Sequence, residues 1–142
     1  LKIKIYIWLL LITNQLKYFI MEWYLKVVRD NYANFEGRAR RQEYWMFVLI
    51  NFAVLLVLSI VVAVIDTLGI LSGLYSLAVL PPGLGVTIRR LHDTGRSAWW
   101  IFIAFVPIIG FITFIVFMVA DNDPLENRYG PNPKVDLSDG SN

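Results

Sequence analysis

Tyr44 to Ile65 is a run of 22 residues without a formal charge. At 1.5 Å per residue an α-helix of that length crosses a hydrocarbon core of roughly 30 Å. No irregular backbone can do so, because every N–H and C=O inside the bilayer must find its partner within the segment. The run therefore predicts a first transmembrane helix. Its polar interruptions, Asn51 and Ser59, are expected to bond to backbone or to a neighbouring helix. Asp66, Thr67 and Gly69 then supply a turn without Lys or Arg, as expected for the outer side of a membrane.

Two more apolar runs follow, and together the three predict an all-α, polytopic membrane helical bundle. Leu68 to Ile88 reads as a second span. It contains Pro81-Pro82-Gly83-Leu84-Gly85, and each proline removes a backbone donor and clashes with the preceding turn, so a kink or break near Leu80 is expected. Trp99 to Ala120, again about 22 residues without charge, reads as a third span bent at Pro107 and Gly110. The whole chain is 57% hydrophobic and only 17% charged, which no ordinary soluble domain of this size shows. It has no cysteine and one histidine, which removes thiol chemistry and most zinc arrangements, and no cofactor is expected. The net charge of +2 does not point to nucleic acid, since the basic residues cluster beside apolar runs and form no separate polar face.

The amino end divides in two. Leu1 to Ile20 carries lysines ahead of a short apolar run, Ile5 to Ile12, which is too short to span and has no small-residue cleavage site after it. The first Met is residue 21. Residues 1–20 are therefore expected to be an upstream leader or the product of a mis-assigned start, with a peripheral helix or uncleaved anchor as the other reading. From Met21 to Phe35, Trp23, Tyr24, Val27, Val28 and Phe35 fall mostly at helical spacing, opposite Lys26, Arg29 and Asp30. That pattern predicts an interfacial amphipathic helix, with an amphipathic helix packed on the protein's own surface as the other reading, which the sequence does not separate from it. Residues 21–134 form a single expected membrane domain, and residues 135–142 an expected disordered tail.

Charge concentrates in two segments. Arg38, Arg40 and Arg41 precede Tyr44 and Trp45, with Glu36 and Glu43 as local partners. Arg89 to Trp100 links the second and third apolar runs and cannot enter the bilayer cheaply, since an Arg at the centre of an inserted helix costs roughly 2.5 to 3.5 kcal/mol. Arg89 and Asp93, four apart, can pair if the second helix continues past Ile88. The residues expected to contact anionic lipid headgroups or a partner are Arg38, Arg41, Arg89, Arg90, His92 and Asp93. No catalytic residue is assigned, because His92 has no separate nucleophile and orienting acid beside it, and Ser97 is merely near in sequence. Asp121, Asp123 and Glu126 lack the EF-hand ligand pattern, so no metal site is expected. From Met21 onward, five Lys or Arg precede the first span, none lie in the turn after it, three lie in the second link and two in the tail. This puts the amino end and the link in the cytoplasm and, after three spans, the tail outside. The tail or the amino end changes side if the second span re-enters or if the leader inserts.

Met21-Glu22-Trp23-Tyr24-Leu25-Lys26, Phe35-Glu36-Gly37-Arg38-Ala39-Arg40-Arg41, Glu43-Tyr44-Trp45, Arg89-Arg90-Leu91-His92-Asp93, Ser97-Ala98-Trp99-Trp100 and Glu126-Asn127-Arg128-Tyr129-Gly130-Pro131-Asn132-Pro133 occur in that order. On these motifs, from Met21 to Lys134, the chain resembles the domain of unknown function 805 family. The resemblance implies a small polytopic protein of the bacterial inner membrane. That family has no established biochemical role, so it lends no catalytic residues. The expected function is non-enzymatic: a small bundle that assembles with itself or another membrane component and presents a basic cytoplasmic surface. The alternative is an oligomeric transporter or channel subunit whose broken second helix lines a pathway.

Overall fold

The computed structural model describes residues 1–135, and Asp136 to Asn142, expected as a disordered tail, lie outside them. Every extended element among the described residues is helical. Helix α1 (Lys2–Leu25) runs on as a π turn (Lys26–Asp30), followed by α2 (Arg41–Val64), a 3-10 turn (Asp66–Leu68), α3 (Gly69–Asp93), a 3-10 helix (Ala98–Phe105) and α4 (Ile109–Val119). Met21 falls inside α1, and the helical stretch ends at Asp30, short of Phe35. Asn31 stops it by turning its amide onto the Lys26 carbonyl at 2.9 Å. Val27 is fully buried while Arg29 and Asp30 face solvent, the two-sided pattern that the apolar spacing predicts.

Helices α2 and α3 are 24 and 25 residues long, about 36 Å each, and mean hydropathies of 3.0 and 1.4 in their most apolar windows make both able to cross a membrane. Only 11% and 17% of those windows is buried within the chain, so Leu49, Phe52, Leu55, Val57 and Ile60 on one helix and Leu71, Leu74 and Leu77 on the other stand exposed. A water-soluble fold would not leave such a surface uncovered. The face that is covered is a stripe at helical spacing, Glu43, Tyr44, Phe47 and Asn51. Asn51 meets the expectation for it on both counts: its amide donates to Phe47 O at 2.8 Å, and its oxygen accepts from the Tyr75 hydroxyl on α3 at 2.6 Å. Ser59 bonds to Leu56 O at 2.8 Å.

Of the kink or break expected at Pro81-Pro82, the break does not occur, and α3 runs as one helix through both prolines. Part of the reason is a donor supplied from outside the helix. Pro82 has no N–H for the carbonyl four residues back, which is Ala78 O, and the Tyr32 hydroxyl donates to that oxygen at 2.6 Å.

The third apolar run is not one helix. Its 3-10 arm of eight residues and its α arm of 11 residues fold back on each other as a hairpin. Trp100 packs edge-on against Phe117, with ring centroids 5.4 Å apart. At the tip Ile109 N–H closes onto Pro107 O at 2.7 Å around Ile108, a β-branched residue held at φ +61°. Pro107, expected only to bend a helix, sits where the chain reverses. Gly110 makes the reversal possible, because a Cβ there would collide with the Ile103 carbonyl and the Val106 side chain. Gly110→Ala is therefore expected to lose about 1–3 kcal/mol of stability, as an overpacked site does, read as a lower thermal unfolding midpoint in detergent. Gly73→Ala, in open space on α3, is expected to hold or raise it.

Candidate functional site

The charged residues of the two basic segments converge because α3 continues past Ile88 to Asp93, so Arg89, Arg90 and Asp93 all ride on its last turns. Gly95, at φ +73°, then turns the chain out, with its N–H on His92 O at 3.0 Å. The segment before α2 lies alongside, anchored by Ala39 N–H on Arg89 O at 3.0 Å. The expected Arg89–Asp93 pair does not form. Asp93 lies on the side of α3 facing Arg38 and the tail, where it pairs with Arg90 one turn back and with Arg38 Nε at 2.9 Å. Arg89 points instead toward α2 and pairs with Glu43 at 2.5 Å.

Asp93 is the hub. The side chains of Arg38, Arg90 and Asp93 are at most 1% exposed. Burial of that kind is tolerable only when the ions are paired and their remaining donors are spent. Arg38 spends its donors on the tail: Nη1 bonds Leu125 O at 2.8 Å and Gly130 O at 3.3 Å, and Nη2 bonds Asp123 O at 2.6 Å and Asp93 O at 3.3 Å. Arg90 reaches Met118 O at 3.2 Å and Ala120 O, carbonyls at the end of α4 that have no partner inside the helix. Arg41 adds a bond to Val119 O at 3.3 Å. Two guanidinium groups thus sit at the negative end of the α4 dipole, where cations are favoured.

The tail closes over this end as a clasp. Asp123 N–H bonds Asp93 O at 2.8 Å, Asn127 donates to His92 O at 3.0 Å, and Arg40 bonds Pro133 O at 2.8 Å. Asn127 and Gly130 bond each other's backbone in a tight turn that carries Tyr129. The Tyr129 ring lies flat on His92, 3.7 Å between centroids and 3° from parallel. His92 Nδ1 is 3.2 Å from Gly37 O, which can only accept, so that nitrogen carries the proton. His92 is thereby a packing and hydrogen-bonding residue. Asp121 remains at the rim, between Lys134 at 2.7 Å and Arg41 at 3.3 Å. The Lys134 ammonium, helped by the Asn122 N–H, holds its carboxyl below the usual carboxylate range.

Of the six residues expected to meet a lipid or partner, Arg38, Arg89, Arg90, His92 and Asp93 are thus buried side chains with partners in the chain, and Arg41 is open to solvent. Among the described residues, Arg89 stands apart because its Nε and Nη2 are buried without a hydrogen-bond partner, while Lys26 approaches Glu43 Oε2 at 3.5 Å. Sequence reasoning missed the carbonyls of Met118, Ala120, Asp123, Leu125 and Gly130 as arginine partners. A backbone acceptor has no residue-type signature, although the turn-rich run Glu126 to Pro133 marks where one of them, Gly130 O, lies.

Exposed apolar helices joined at one end by a closed knot of charge define a small all-helical membrane protein. Comparison with known proteins agrees. A family model described as a protein of unknown function, DUF805, matches residues 32–131, and the chain belongs to that family, as its motifs indicated. It is 46% identical over 125 residues to the inner membrane protein YhaH of Escherichia coli K12, covering 82% of this chain and 99% of that one. It is 47% identical over 115 residues to the inner membrane protein YhaI of the same strain, covering 80% and 97%. The uncharacterized protein YiiR of that strain is 38% identical over 74 residues, about half of each chain. No solved structure matches the chain.

Asp93→Asn leaves two buried guanidinium groups without their anion, and it is expected to cost about 3–5 kcal/mol of stability, the range for a broken buried pair. Asp30→Asn, which breaks a solvent-exposed pair, is expected to leave the unfolding midpoint nearly unchanged, both read as thermal unfolding in detergent. The Asp121 contact acts at lower pH. Its folded carboxyl titrates below the unfolded one, so its contribution is complete above the unfolded value of about 3.9 and fades as pH falls through the folded value. An NMR titration is expected to give Asp121 a midpoint below that of a free aspartate, and Lys134→Ala to move it up.

Proposed function

We propose that this chain is a non-enzymatic protein of the bacterial inner membrane, whose role is packing and interaction within the bilayer. In this reading α2 and α3 are two antiparallel spans. The segment from Ala98 to Val119 is a re-entrant hairpin that enters and leaves by one leaflet, and the clasp and tail lie together in the cytoplasm. One observation carries the topology: Arg38 and Asp93 bind the tail backbone directly and Arg90 binds the end of α4 just before it, so the tail belongs on the side of both arginine segments.

Charge counting favours the same arrangement. Three spans would strand Arg128 and Lys134 outside, whereas two spans and a hairpin put every Lys and Arg after Met21 on one side. The arms of the hairpin, about 16 Å each, are too short to cross a core of roughly 30 Å. Since Arg38, Arg89 and Arg90 are spent on the fold, contact with anionic headgroups falls to exposed cations at the rim, among them Arg128, Lys26, Arg29, Arg41 and Lys134, the last four each at least 44% exposed. The pathway reading rested on a broken second helix, and α3 is continuous.

The chain has no cysteine, so single-cysteine labelling in oriented membranes reads the topology directly. Gln42→Cys and Glu126→Cys are expected to react from the same side and Thr67→Cys from the other. Labelling of Glu126→Cys from the side of Thr67→Cys would restore three spans. For the interaction role, native mass spectrometry of gently extracted protein is expected to show bound anionic lipid or an assembly. The paired change Arg41→Ala and Lys134→Ala is expected to reduce the lipid adducts, and a bare monomer would count against the reading.

A further inference from the structure

We propose that the hairpin makes this protein a one-sided wedge, so that it favours membranes whose clasp-side leaflet is convex. The inference rests on the topology proposed above. Helices α2 and α3 are long enough to occupy both leaflets. The hairpin occupies one, because both its ends are held at the clasp: Arg90 bonds Ala120 O, Asp123 bonds Asp93, and the Arg96 guanidinium lies 4.0 Å from the Phe117 ring centre. With arms of roughly 16 Å, its tip at Pro107 and Ile108 comes no deeper than the middle of a 30 Å core.

The hairpin surface is made for lipid. Trp99, Phe102 and Phe105 on one arm and Ile109, Phe111 and Ile112 on the other are exposed, and no charge falls between Ala98 and Ala120. It is also closed tightly, with its arms in register from Trp100 against Phe117 to Ile103 against Gly110 and a three-residue turn at the tip. A hairpin built this way displaces lipid as a solid body and does not splay to follow the bilayer. Two helical rods of about 10–12 Å diameter add roughly 160–220 Å² of cross-section to the clasp-side leaflet and nothing to the other. Unequal area relaxes when the fuller leaflet is on the outside of a bend, the same physics that makes one-sided amphipathic insertion sensitive to curvature.

The test uses the full chain carrying Gln42→Cys or Glu126→Cys, labelled with a dye and reconstituted into giant vesicles from which narrow tubes are drawn. Quenching from outside sorts vesicles into clasp-out and clasp-in. For clasp-out protein the tube-to-vesicle density ratio is expected to exceed one, and for clasp-in protein to fall below one. Equal ratios in the two orientations overturn the wedge, and so does a sign opposite to that expected. If dyes at positions 42 and 126 are quenched from opposite sides, the topology itself fails and the wedge with it. If they are quenched from the same side and tube density merely follows the vesicle, the topology stands and the wedge alone is wrong.

Discussion

Asp93 holds two guanidinium groups at the end of α3, and the rest of the architecture hangs on that contact. Isolated, a buried carboxylate between two buried arginines carries a desolvation penalty of several kcal/mol per ion. Here the penalty is offset by completeness, since Arg38 and Arg90 turn their remaining N–H groups onto backbone carbonyls of the tail and of the end of α4. The carbonyls at the end of α4, which have no partner inside the helix, need donors as much as the arginines need acceptors. The cluster is therefore one unit, and removing any member leaves charges or carbonyls of the others unpaired.

This dependence decides how the last apolar run is used. By length and composition alone, Trp99 to Ala120 satisfies the requirements for a span as well as Tyr44 to Ile65 does. The difference lies in what its far end must bind. The carbonyls of Met118, Val119 and Ala120 are taken by Arg90 and Arg41, residues committed to the start of the hairpin by α3 and to the start of α2. Chain reversal at Pro107 to Gly110 is then required, and the positive φ of Ile108 and the bare Cα of Gly110 are its local cost and its local means.

The same contrast marks how far the sequence could be read. The two long helices and their facing polar groups were legible, because apolar length and helical spacing are written in the residues themselves. The double proline does not break α3, and one group that lets the helix continue, the Tyr32 hydroxyl on Ala78 O, comes from 46 residues away and has no signal in the local sequence. The candidate site was legible in membership and not in role. Arg38, Arg89, Arg90, His92 and Asp93 do lie together, but a guanidinium looks the same in sequence whether it meets a phosphate, a carboxylate or a backbone carbonyl. Asp93 choosing Arg90 over Arg89 depends on which side of α3 faces the tail, and that depends on the tail's own turn.

The second buried pair is built to a lower standard, and the comparison says where the molecule is firm and where it can give. Glu43 and Arg89 are as enclosed as Asp93 and Arg90, yet Arg89 keeps two donors unpaired and Glu43 keeps an oxygen served only by a half-exposed Lys26. An unsatisfied buried polar group costs about 1–3 kcal/mol, so this contact between α2, α3 and the π turn returns less of its desolvation than the clasp does. The clasp, with its donors matched to carbonyls on α4 and the tail, fixes the hairpin and the tail to α3. The Glu43 contact ties α2 and the π turn to that assembly more loosely. Small displacements of α1 and the π turn are thus the motions that the charge network opposes least, and detachment of the tail is the one it opposes most.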